Sequence, residues 1–145
     1  MSLVNIRSAI KTILDSIKAA NNVTTVYDYP VTNVAETPTI VLLDTEGEED
    51  YANTAQNQST LHWTVRIIVE KRETQAQDST QVSTLLAITD AVMVELRKKT
   101  NHSLGCTAHS FIIEEITPTE ASMQGDVPVF FKEIRLITQS FKTIV

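Results

Sequence analysis

The sequence has one cysteine, Cys106, and three glycines among 145 residues. A single cysteine excludes an internal disulfide and any cysteine-rich metal site. The glycines at positions 47, 105 and 125 are too few and too far apart for a glycine-rich phosphate loop, and no GxGxxG, GxxxxGK[ST] or GxSxG motif occurs. Enzymatic activity therefore has no positive support from motifs, and we predict no catalytic residues.

The chain also lacks a basic excess and a long apolar run. Eighteen acidic residues against twelve basic ones give a formal net charge of −6. Tight, sequence-independent DNA binding normally needs a basic surface, because the duplex carries one negative charge per ~1.7 Å of its axis. No apolar run approaches the ~20 residues that cross a bilayer, and Met1–Ser16 has no signal-peptide pattern. We expect no membrane partner and no specific DNA binding.

The residues that could bind metal are scattered. His62, His102 and His109 form no HxH or HExxH motif. Cys106 and His109 are three residues apart, so in a strand they would point to opposite faces and could not act as nucleophile and base. The acidic stretch Asp44–Asp50 is not followed by the bidentate glutamate of a calcium loop. We predict no metal and no cofactor.

The strongest pattern that is present lies in Leu61–Glu70 (LHWTVRIIVE). Leu61, Trp63, Val65, Ile67 and Val69 share one parity, which predicts a long strand with an apolar and a mostly polar face. Ile68 is the only apolar residue of the polar face, which indicates partial cover there.

Two amphipathic helices flank this strand in the sequence. Asn5 to about Ala20 has apolar residues at three- and four-residue steps, and Asn21-Asn22 ends the pattern. The second helix begins near Asp78, where Asp78 and Gln81 resemble a capping box with Ser79 and Thr80 as rival caps. Its predicted apolar stripe is Val82, Leu85, Leu86, Thr89, Val92, Met93 and Leu96, and Arg97-Lys98-Lys99 complements the helix dipole at its end.

Short β-rich stretches predict the remaining strands: Val23–Tyr29, Thr39–Leu43, Thr107–Ile116 and Val129–Phe141. Two polar stretches predict connections. Asp44–Ser59 is expected to be a long exposed hairpin connection, and Thr117–Asp126 a loop.

The length fits one domain spanning residues 1–145. The element order predicts an α+β fold, with a single mainly antiparallel or mixed β-sheet and two amphipathic helices packed on one face. The other face is left for solvent or another subunit. Candidate subunit-interface residues are Arg66, Phe131, Arg135 and, near the apolar C-terminus, Phe141.

Taken together, the elements resemble the tail terminators of long-tailed bacteriophages and prophages, the group with the lambda-type tail terminator and related tail-completion proteins. The resemblance rests on the order of Ile6–Ile17, VYDYP (Val26–Pro30), TPTIVLL (Thr37–Leu43), LHWTVRIIVE, the helix Val82–Lys99 and VFFKEIRLITQSF (Val129–Phe141).

The resemblance implies a virion subunit, assembled in the host cytoplasm, that forms a hexameric ring on the head-proximal end of the tail tube. Such a ring stops tube polymerisation and meets the neck, or head-completion, protein, while DNA passes through its centre. An acidic lumen would repel the DNA backbone. We therefore hypothesise that an acidic loop faces the lumen or the tube, with candidate residues Asp44, Glu46, Glu48, Glu49 and Asp50.

Three alternatives stay open. One is a different head–tail connector or minor tail protein. A second is a cytosolic ligand-binding α+β domain, which would have a concave pocket with converging polar groups. The third is an enzyme with a site that no motif announces.

Overall fold

A computed structural model describes residues 3–31, 36–53, 56–71, 74–98 and 110–143 of the chain. Within these ranges lie two helices and six strands, in the order α1 (Leu3–Ser16), β1 (Thr25–Tyr27), β2 (Thr39–Asn53), β3 (Gln56–Glu70), α2 (Gln75–Leu96), β4 (Ser110–Ile116), β5 (Glu120–Gln124) and β6 (Val127–Thr143). The six strands form one sheet, so the predicted α+β fold class is confirmed.

The sheet is mixed but mainly antiparallel. Its strand order is β1-β2-β3-β6-β4, and β5 also pairs with β6. Among the described strands, β1 and β2 run parallel and the other neighbouring pairs run antiparallel. The prediction of a loop over residues 117–126 was wrong, because β5 lies within it. Gly125, with φ 64°, forms the tight turn that leads β5 back along β6.

Both helices pack on the same face of the sheet, as predicted. One cluster of buried apolar side chains joins them to the strands, including Ile10 and Leu14 of α1, Leu85, Ile88 and Val92 of α2, and Ile40, Val65, Ile67, Ile134 and Leu136 of the sheet. Burying each such side chain stabilises the fold by about 1.5–3 kcal/mol. Leu86, which was predicted to belong to the stripe of α2, is instead 44% exposed.

The acidic stretch after Leu43 belongs to a strand, so the prediction of an exposed connection over Asp44–Ser59 was wrong. The register of β2 and β3 runs from Thr39↔Ile68 to Asn53↔Gln56, with irregularities between Asp44 and Gly47 and between Tyr51 and Asn53. Strand pairing uses backbone groups and does not require apolar side chains. The hairpin exists, but polar composition concealed the length of its strands.

The helix ends also differ from the sequence prediction. α2 starts at Gln75 because the Thr74 hydroxyl accepts a hydrogen bond from the Gln77 amide at 3.2 Å. The predicted capping box at Asp78 was therefore one turn too late. α1 ends at Ser16, and the following turn closes at Asn22, whose φ of 54° suits asparagine.

Candidate interaction surface

The sheet face opposite the helices, which we call the open face, carries charged residues from neighbouring strands. Arg66 on β3 lies opposite Glu133 on β6, and Thr64 lies opposite Arg135. Successive side chains of a strand point to opposite faces. Because Val65 is buried in the core, its neighbours Thr64 and Arg66 point to the open face. Two of the predicted interface residues, Arg66 and Arg135, are thereby brought to one surface.

Arg66 is held by two kinds of contact. Its Nε and Nη2 donate to Oε2 of Glu133 at 3.1 and 3.0 Å, and its Cζ lies 5.4 Å from the centroid of the Phe131 ring. The Arg66 side chain is 36% exposed and that of Glu133 only 15%. A cation–π contact at such a site contributes roughly 0.5–1 kcal/mol. The guanidinium is therefore positioned above Phe131, the third predicted interface residue.

A β-bulge in β4 brings two consecutive glutamates to the open face. The register with β6 shifts between Ile113 and Glu115. Oε2 of Glu115 accepts a hydrogen bond from Nη1 of Arg135 at 2.7 Å, and Oε2 of Glu114 lies 3.4 Å from Nδ1 of His62. Consecutive side chains of a regular strand point to opposite faces, so the bulge is what allows both contacts. Sequence reasoning missed both glutamates because a bulge interrupts the alternation without leaving a motif.

Directly after the bulged strand β4, Thr117 makes two further hydrogen bonds to the backbone of β6. The Thr117 amide donates to the Glu133 carbonyl at 2.9 Å, and the Glu133 amide donates to the Thr117 hydroxyl at 2.9 Å. This exchange joins the residue that follows β4 to β6 and fixes the Glu133 backbone next to the ion pairs.

An open depression of ≈ 350 Å³ lies among these groups. It is lined by Leu43, Thr45, His62, Trp63, Thr64, Arg66, Glu114, Glu133 and Arg135. Two ion pairs, Arg66–Glu133 and Arg135–Glu115, and the contact between His62 and Glu114 surround this depression. The surface therefore offers both hydrogen-bond donors and acceptors, which suits contact with a polar protein surface.

The other end of the open face has an apolar cover. Ile68 is 1% exposed and clusters with Val41 and Val129. The residues packed against this cluster are Tyr27, Val31, Leu43 and Phe131. The Gln124 side chain donates to the Val31 carbonyl at 3.1 Å, which ties the segment after β1 to the β5–β6 hairpin. The partial cover predicted from Ile68 is confirmed.

The five predicted acidic residues lie along β2 and not in a loop: Asp44, Glu46, Glu48, Glu49 and Asp50. Their Cα partners on β3 are uncharged, with Glu48↔Thr60, Glu49↔Ser59 and Asp50↔Gln58. Neither residues 44–53 nor residues 56–61 include a lysine or arginine. This part of the hairpin therefore has an uncompensated negative charge in its sequence. Whether it meets a lumen or a tube stays a prediction.

Phe141 lies apart from the other predicted interface residues. Its Cα is opposite Gln58, and it follows Phe131 by ten residues on β6. At about 3.3 Å per residue, the two are roughly 33 Å apart. Arg66, Phe131 and Arg135 thus share one surface, whereas Phe141 lies towards the β2–β3 turn.

The remaining candidate ligands give no cluster. His102, Cys106 and His109 lie outside the described residues. Within the described ranges, no group of three or more histidine, cysteine, aspartate or glutamate residues is arranged to hold a metal ion.

These features define an α+β domain with helices on one side of its sheet and an ion-paired polar face on the other. The chain matches no protein-family model and no curated protein sequence. In the part of the chain that the structure describes, neither helix combines the length and the apolar character needed to span a membrane.

Proposed function

We propose that this protein is a structural subunit of a phage tail. Copies of it close into a ring, hexameric in the family that the sequence resembles, on the head-proximal end of the tail tube. The ring ends tube polymerisation and presents the surface that joins the neck, or head-completion, protein. It acts in the virion tail after assembly in the host cytoplasm.

The open face is the observation that supports this proposal best. Because both helices lie on one side, the other side of the sheet retains the Arg66–Glu133 and Arg135–Glu115 pairs at its surface. Subunit interfaces include polar groups and trapped water around an apolar centre, and Phe131 beside Arg66 supplies such a centre. A closed ring also needs two different surfaces on each subunit that meet head to tail. The open face and the outer surface of the helices are two such surfaces.

The net negative charge of the protein fits the proposed passage of DNA through the centre of the ring. With a formal net charge of −6, the protein lacks the basic excess that holds a DNA backbone. DNA would therefore pass through the ring without specific binding. No catalytic step or cofactor is part of the proposal.

The proposal is tested by mixing the purified protein with its tube protein and imaging the tube ends by electron microscopy. Arg135→Glu adds a fourth acid to Glu114, Glu115 and Glu133 on the open face, and we expect it to lower the capped fraction at least severalfold. The matched control is Lys11→Glu, which makes the same charge change at the Lys11–Asp15 pair on the outer surface of α1. Both pairs are exposed enough that folding should change little.

Tubes with uncapped ends in the presence of the unchanged protein would contradict the proposal. Depleting the protein during tail assembly separates a terminator from other connectors. Loss of a terminator gives tubes of uncontrolled length, whereas loss of a minor tail or connector protein leaves tube length unchanged.

A second candidate function is the binding of a small polar ligand in the depression. Its ≈ 350 Å³ is within the size range of small-molecule sites, and charged groups converge on it. This alternative expects a small zwitterion, such as a free amino acid, to raise the melting temperature of the unchanged protein, and it expects Arg66→Met to abolish that shift. It also expects that the unchanged protein does not cap tubes.

A further inference from the structure

Among the described strands, the outer edge of β2 has a partner only at its beginning. β1 pairs with Thr39, Val41 and the residue between them, whereas β2 continues to Asn53. β3 occupies the inner edge over this whole length. No other described strand lies along the outer edge. Alternate backbone amides and carbonyls of an edge strand point away from the sheet, so this edge presents a row of donors and acceptors.

The regular part of this edge is long enough to receive another strand. Beyond the irregularity at Asp44, the register with β3 is uninterrupted from Gly47↔Leu61 to Tyr51↔Asn57. Five residues in regular register equal a typical strand of about five to six residues. Gly47, at its start, is exposed, and so is Asp44 before the irregularity.

We propose that this edge binds an extended, lysine- or arginine-rich segment of a different protein, which joins the sheet as an additional strand. Backbone hydrogen bonds would supply the affinity, and charge would select the partner. This inference does not depend on the proposed tail function, because it concerns the edge of β2 and not the open face.

Charge selects a basic strand from another protein over a second copy of this chain. Residues 44–50 include five acids and no base. Pairing two β2 edges would place acids opposite acids, which is unfavourable. The other edge strand, β4, carries Glu114 and Glu115 and would oppose acids to β2 in the same way. Charged edges of this kind also prevent self-association of natural sheets.

A synthetic peptide with blocked termini, made of alternating lysine and threonine over about nine residues, is the probe. Amide hydrogen exchange of the full-length protein, followed by NMR with and without the peptide at low salt, reports the site. We expect protection at every second amide between Gly47 and Tyr51, because only alternate amides face outwards. The same peptide with alternate backbone nitrogens methylated keeps its charge but loses donors on one edge, and we expect it to bind at least about tenfold more weakly.

Matched variants test the contribution of charge. Combining Glu46→Gln, Glu48→Gln and Asp50→Asn should weaken peptide binding at least about tenfold. The control combines three exposed acids elsewhere, Asp90→Asn, Glu120→Gln and Asp126→Asn, and should leave peptide affinity within about twofold.

Four results would overturn the inference. They are equal binding of the methylated peptide, equal weakening by the two triple variants, peptide-induced protection along β4 in place of β2, and no binding of the lysine peptide at low salt. Protection of the β2 amides that rises with the concentration of the free protein would show instead that a second copy occupies the edge.

Discussion

A buried hydrogen bond between two side chains joins β3 to β6 beside the core. Trp63, the single tryptophan of the chain, is 2% exposed, and its Nε1 donates to the Thr138 hydroxyl at 3.1 Å. Thr138 is 1% exposed, so water does not provide an alternative acceptor at this position. The threonine therefore satisfies a donor whose loss of hydration on folding would otherwise remain uncompensated.

Thr138→Val should lower the free energy of unfolding by about 1–3 kcal/mol, because it keeps the shape of the side chain but leaves the indole N–H unsatisfied. Urea denaturation followed by the fluorescence of Trp63 measures the change at the residue concerned. Thr138→Ser retains the hydroxyl and should recover much of the loss. Equal destabilisation by valine and serine would assign the effect to packing.

The residues of the open face were predictable to different degrees. The alternation of LHWTVRIIVE placed Arg66 opposite the core-facing side chains, and Arg135 and Phe131 were predicted with it as subunit-interface residues. The two glutamates of β4, Glu114 and Glu115, were not predictable as members of this face, because a bulge changes which face a side chain reaches without changing composition. Parity therefore identified the surface, but it did not identify the ion pairs.

At the scale of the elements, apolar periodicity correctly predicted the strands and helices whose side chains form the core. The buried segments Thr39–Leu43 and Leu61–Glu70 were both predicted as strands, and both lie within observed strands. The polar extensions of β2 and β3 were missed because they are held by pairing with neighbouring strands, and that pairing leaves no apolar signal. β5 was missed for a related reason, since four of its five residues are exposed.

The start of α2 provides a test at the scale of one element. Thr74→Ala removes the observed N-cap and should cost about 1 kcal/mol of stability. Thr80→Ala, at a predicted cap position that lies inside the helix, should be neutral or stabilising because alanine favours helix interiors. Denaturation curves of the two variants compare the positions directly, and a larger loss at Thr80 would place the functional cap nearly two turns later.

At the scale of the whole molecule, the acidic part of β2 has two proposed roles, which are contact with the tail tube and lining of the central lumen. The five acids from Asp44 to Asp50 account for most of the formal net charge of −6. If they face the tube, converting all five to Asn or Gln should reduce tube capping most at low salt, where charges are least screened. If they face the lumen, capping should persist, and the rings should retain added duplex DNA more strongly.

Electron microscopy of tube ends and a DNA retention assay, both repeated at two salt concentrations, distinguish these outcomes. The control is the triple variant with Asp15→Asn, Asp90→Asn and Asp126→Asn, which neutralises exposed acids away from the β2–β3 hairpin and from the predicted interface residues. Unchanged capping together with unchanged DNA retention would contradict both roles.

β3 and β6 remain paired beyond the part of the apolar core that the structure describes. Among the described side chains, the buried cluster reaches Trp63 on β3, with Leu61 packed at its margin, and five more residue pairs of β3 and β6 follow, from Thr60↔Gln139 to Gln56↔Thr143. Residues 56–60 of β3 have the polar sequence QNQST, so we expect this end of the ladder to open at a lower free energy than global unfolding. A neighbouring molecule bound at this end would suppress its local opening. Assembly would then stabilise this part of the sheet against local unfolding.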